Sequence, residues 1–130
     1  MTTDLYYLAL TAALTTILWI PYIVGRVKSA GPMKSTDYKT PRTPELPDGV
    51  KRANRVHLNA LEVLPSFAAL VLVAHVGLQA NWITAIACTV FFWSRLAYTV
   101  VYWLGTPFIR TLLFAIGVLS QLAIFSQIIL

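Results

Sequence analysis

The sequence predicts an all-α membrane protein, a bundle of four membrane-spanning helices in one 130-residue domain. Three observations carry that expectation. The chain is 58% apolar and only 12% charged, where soluble domains are nearer one quarter charged. Its apolar residues gather in four runs of about the 20 residues a bilayer requires. Eight of its ten Lys and Arg lie between Arg26 and Arg55, with only Arg95 and Arg110 outside. A basic segment between two apolar spans reads as a cytoplasmic loop beside anionic lipid.

The first span is expected over residues 5–23. It holds no charge, and Trp19, Pro21 and Tyr22 gather at its end. Aromatics belong at headgroup level, and Pro21 can kink or end the helix. The run lacks a basic leader, follows Asp4 and is longer than a secretory h-region, so it reads as a retained span. From Arg26 to Gly49 the composition turns to Pro, Gly and polar residues, which predicts a long cytoplasmic loop. Asp48 or Gly49 is the expected N-cap of the next helix.

The second span is expected over residues 50–76. Its beginning is amphipathic and its remainder apolar except for His75. Pro65 lies inside it, which membrane helices tolerate when neighbours satisfy the freed carbonyl. The uncharged turn from Gly77 to Asn81 leads to a third span over 82–104. Gly105-Thr106-Pro107 is a tight break, with Pro107 placed to open a fourth span over 108–130. Four spans set both termini on one side, and the basic loop makes that side non-cytoplasmic. The connection from Gly105 to Pro107 makes spans three and four antiparallel neighbours.

The chemistry concentrates where span two opens. Arg52, Arg55, Asn59 and Glu62 fall at i, i+3, i+7 and i+10, on one helical face. Arg95, Tyr98 and Tyr102 share a face of span three, and Arg110 opens span four. By the helix rise, Glu62 and Arg95 both lie roughly 15 Å inside the cytoplasmic boundary. Their matched depth predicts a buried ion pair. Arg52, Arg55 and Arg110 would remain in surplus. With Asn59 and the tyrosines they suit an anion held in a cytoplasm-facing cavity, since the planar guanidinium matches a carboxylate.

Other chemistries are disfavoured. Cys88 is the only cysteine, which excludes an intrachain disulfide, and its apolar setting makes it a small packing residue. His57 has no second ligand at metal spacing; a hydrogen bond to a neighbouring helix is expected of it, and His75 should cap its span. No aromatic-interleaved basic patch points to nucleic acid. No phosphate loop, Ser-His-Asp spacing or carboxylate pair is present.

The run Arg52-Ala53-Asn54-Arg55-Val56-His57-Leu58-Asn59-Ala60-Leu61-Glu62-Val63-Leu64-Pro65 resembles the second-helix signature of the MAPEG proteins, the membrane-associated proteins in eicosanoid and glutathione metabolism. Arg95, Tyr98 and Tyr102 resemble the family's third-helix motif, and Pro107 with Arg110 the opening of its fourth helix. The likeness runs along essentially the whole chain and is greatest to the small bacterial branch. It implies a homotrimer of four-helix subunits in a bacterial inner membrane. It also implies glutathione as co-substrate, bound between subunits and open to the cytoplasm. Arg55, Asn59 and Glu62 would hold the tripeptide, Arg52, Arg95, Tyr98 and Tyr102 would complete the site, and Arg110 would stabilise the thiolate. Arg26 is a second candidate for that last role.

The resulting expectation is a glutathione-dependent transferase or peroxidase acting on lipophilic electrophiles that arrive from the bilayer. The alternative is a non-enzymatic subunit of a larger membrane complex, in which the polar stripe serves packing. An anion transporter is disfavoured by the absence of a broken-helix repeat. The family pattern is departed from at Val63, where some members carry an aromatic residue or Asn.

Overall fold

The computed structural model describes residues 1–31 and 46–130. Its helices are α1 (Thr3–Ile17), α2 (Trp19–Ala30), α3 (Asp48–Val76), α4 (Trp82–Leu104) and α5 (Pro107–Ile129), with no strand among the described residues. Among the described residues, four helical segments are long and apolar enough to cross a bilayer, α1 and α2 together forming the first. The chain is an integral membrane protein with an all-α fold.

The first span differs from expectation in two ways. It breaks at Leu18, and helix then continues past Ile23 to Ala30. The break falls just before Pro21, which leaves the proline in the first turn of α2, where a missing N–H costs little. Ahead of it, the hydroxyls of Thr11, Thr15 and Thr16 donate to the carbonyls of Tyr7, Thr11 and Ala12 at 2.7–2.9 Å. Such back-bonding bends helices. Nothing after Pro21 stops α2 until Gly31, whose φ of 80° ends it. Arg26 and Lys28, expected in the loop, therefore stand on a helix. The rest of that expected loop, residues 32–45, lies outside the described residues.

α3 starts two residues before its expected beginning, so that neither Asp48 nor Gly49 is its N-cap. Pro47 occupies the N-cap position, and Asp48 stands in the first turn, where a carboxylate favours the helix dipole. Pro65 is accommodated without ending the helix. α4 begins with a capping box. Asn81 Oδ1 accepts from the backbone N–H groups of Ile83 and Thr84, and Thr84 Oγ1 accepts from that of Asn81. Gly105, at φ 78° and ψ 25°, ends α4 in the left-handed region, and Pro107 at once opens α5.

α4 packs most extensively on α5, and also on α1 and α3. Half of its best spanning window is buried, far more than for the other spans. One core cluster joins Phe67, Val71 and Ala74 of α3 to Ala87, Cys88 and Phe91 of α4 and Ile124 of α5. The Phe67 and Phe91 rings stack with centroids 3.9 Å apart. Cys88 is wholly buried here, as a packing residue. A second cluster gathers Leu18, Val56, Ala60, Tyr98 and Tyr102 at the other end of the bundle, directly beneath the polar residues. Large apolar side chains such as Trp82, Leu104, Phe108 and Leu119 cover the outside, the arrangement lipid demands.

Candidate functional site

Five of the eight residues singled out from the sequence line one cavity of about 240 Å³: Arg55, Asn59, Glu62, Tyr98 and Tyr102, with Leu58. α3 supplies the first three at i, i+4 and i+7, and α4 supplies the tyrosines one turn apart. Their rings lie 5.6 Å apart and belong to the second core cluster, so the wall they form is held by packing. The cavity offers a guanidinium, a carboxylate, an amide and two phenols. That set suits a ligand carrying charges of both signs.

A second cavity, about 280 Å³, adjoins the first and shares Arg55 and Tyr102 with it. Asp48, Lys51, Arg52, Gly105 and Arg110 complete its lining. Two of its guanidiniums are held in place. Arg52 Nε donates to the carbonyl of Trp103 at 3.2 Å, in the last turn of α4. A cation there satisfies an orphan carbonyl and meets the negative end of the helix dipole. Arg110 lies over the Tyr102 ring, with Cζ 4.8 Å from the centroid, within cation–π range. Arg52 and Arg110 thus stand across Tyr102 from the first cavity, not inside it.

The expected ion pair between Glu62 and Arg95 is not formed. Arg95, only 4% exposed, donates from Nη2 to Asn59 Oδ1, and its Cζ lies 4.3 Å from the Tyr98 ring centroid. Matched depth along two helices leaves their azimuth open. Arg95 turns inward between α1, α3 and α4, beside Thr11, Thr15 and Ala60, while Glu62 is exposed on the outer face of α3. Arg95 therefore supports the site from behind by orienting Asn59 and Tyr98. Glu62 keeps its carboxylate toward the cavity.

Among the described residues, His57 does not make its expected hydrogen bond through Nδ1, and Arg26 stands on α2. His57 Nδ1 is buried with no hydrogen-bond partner among the described residues. Arg26 donates to Tyr22 Oη at 3.0 Å, one turn back on α2.

A third hollow, about 340 Å³, continues below Glu62 between α3 and α5. It is lined by Val63, Leu70, Val118, Leu122 and Phe125, with Ser66 donating to Gln121 Oε1 at 2.8 Å near its top. This pair went unnoticed in the sequence. The available signal was a Ser one turn beyond Glu62 and a Gln in an apolar fourth span. Together the three hollows follow one face of α3, cationic at the mouth, mixed in the middle and apolar beyond.

Against known proteins, the sequence model of the MAPEG family matches residues 4–130, essentially the whole chain. No curated protein matched.

Proposed function

The chain belongs to the MAPEG family, and from that premise we propose that it is a glutathione-dependent transferase or peroxidase acting on lipophilic electrophiles. The observation that carries the reading is the convergence of Arg55, Asn59, Glu62, Tyr98 and Tyr102 on one cavity. Glutathione presents two carboxylates, an ammonium, two amides and a thiol. Arg55 suits a carboxylate, Glu62 the ammonium, and Asn59 and the phenols the amide groups. Glutathione is the co-substrate, held at the cytoplasmic side between subunits of a homotrimer in the bacterial inner membrane, with both termini on the opposite side.

Arg110 is the residue assigned to the sulfur. The nucleophile is the thiolate, and neighbouring positive charge lowers a thiol pKa from its usual value of about 8.5. In transfer, the sulfur forms a bond to the electrophilic carbon and the leaving group departs with the bonding pair. Arg52 holds the wall from which Arg110 acts by capping α4, and Arg95 holds Asn59. The apolar hollow beneath Glu62 gives a lipophilic second reactant a place on the membrane side of the glutathione cavity.

Calorimetry of glutathione with the protein in a neutral detergent, with thiolate absorbance followed alongside, tests the reading. Saturable binding with a thiolate signal near neutral pH is the expected result. No binding at millimolar glutathione overturns it. That outcome favours the structural-subunit alternative, for which the internal bonds of Arg52 and Arg95 are the supporting observation.

A further inference from the structure

We propose that the small cavity behind Arg95 is a binding site for one resident water, which ties α1 to the side chain that orients Asn59. The cavity measures about 10 Å³ and lies between α1, α3 and α4. That is room for one water and little more. Thr11 and Thr15 of α1, with Arg95 and Thr99 of α4, are its polar lining, and apolar residues of α1 and α3 form the rest. All four polar residues are buried. None of the four lines the other hollows along α3.

The hydrogen-bonding capacity of these groups selects the occupant. The hydroxyls of Thr11, Thr15 and Thr99 donate to the carbonyls of Tyr7, Thr11 and Arg95 at 2.7–3.0 Å. With their protons spent on the backbone, the three oxygens can only accept from whatever the cavity holds. Arg95 can only donate. A guanidinium carries several N–H groups, and among the described residues Asn59 Oδ1 alone accepts from this one. A chloride ion would meet the guanidinium well but the oxygen lone pairs badly. A water accepts from Arg95 and donates to two of the threonine oxygens, so it matches both sets. A dry cavity would leave buried N–H groups without an acceptor inside a membrane-spanning bundle, where bulk water does not reach. Cavities that stay dry are apolar, whereas polar ones of this size hold water. The water fixes the guanidinium from the α1 side, as Asn59 does from the α3 side.

The test uses the full chain in a neutral detergent without glutathione, so that its outcome is independent of glutathione binding. Crystals that resolve ordered water are grown in sodium chloride and in sodium bromide. One water peak within hydrogen-bond distance of Arg95, the same in both salts, is the expected result. No peak overturns the proposal, and an anomalous bromide signal overturns water as the occupant. Thr15→Val combined with Thr99→Val removes one acceptor from each helix with little change of shape. The peak should vanish and the thermal midpoint should fall by about 4 °C, the equivalent of one hydrogen bond in a chain of this length. Thr16→Val is the control, since the Thr16 hydroxyl donates to the Ala12 carbonyl in the same way but is exposed and does not line the cavity. It should leave both readouts unchanged. A double variant that keeps the peak, or loses no more stability than Thr16→Val, overturns the site.

Discussion

Arg55 and Asn59 stand one turn apart on α3 and differ in what their removal should do. The Arg55 side chain is exposed at the junction of two cavities and carries little of the fold. Arg55→Ala is expected to abolish glutathione binding by calorimetry while helix content and thermal midpoint stay near the parent. Unchanged affinity would remove Arg55 from the site. Asn59, by contrast, accepts from a guanidinium that is almost wholly buried. Asn59→Ala leaves that cation without its acceptor, and hydrogen bonds to charged groups contribute about 1.5–3 kcal/mol. A loss of that size in denaturant unfolding is expected together with lost affinity; full stability would show that Arg95 finds another acceptor. The sequence made the residues of the polar face legible, because spacing on a helix specifies which side chains stand together. It did not make their partners legible. Arg95 and Glu62 were matched by depth, and only the rotation of α4 against α3 decides that Arg95 meets Asn59.

At the scale of the helices, α2 meets α3 through a position where side-chain volume is already spent. A Cβ on Gly25 would lie 2.7 Å from Val50 Cγ2. Gly25→Ala should therefore destabilise the chain despite the better helix propensity of alanine, by about 1–3 kcal/mol as overpacking does. Val50→Ala should restore much of that loss when combined with it, giving a double-mutant coupling that thermal unfolding in detergent can read. Additive effects would mean that α2 stands off from α3. Nothing in the sequence marked this contact, since α2 was expected to end at Ile23, before Gly25. The boundaries of α4 were legible because their signals are local: Asn81 and Thr84 form the box, and Gly105 with Pro107 closes it. The break at Leu18 was legible in kind, since Pro21 marks a kink and removes the bond to the carbonyl four residues back. The contribution of the threonines, which compete for the backbone, was not.

At the scale of the whole molecule, one chain alone leaves an unfavourable surface in the membrane. Lys51, Arg55, Glu62 and Ser66 are all exposed along one side of α3. A charged side chain near the bilayer centre costs about 2.5–3.5 kcal/mol on insertion scales. Lipid cannot satisfy such a stripe, whereas further copies of the chain can cover it. The proposed trimer is thus expected to behave in neutral detergent as a particle with three times the 14.4 kDa of one chain, once bound detergent is subtracted. Glu62→Gln separates the possible reasons for that assembly. Arg95 does not depend on this carboxylate, so the fold of each subunit should persist. If Glu62 meets a cation across the subunit boundary as well as the glutathione ammonium, the substitution should lower both the trimer fraction by light scattering and the affinity by calorimetry. A trimer that survives with weakened affinity would confine Glu62 to the ligand. Survival of both would place the charge in neither role and leave the α3 stripe without the function assigned to it.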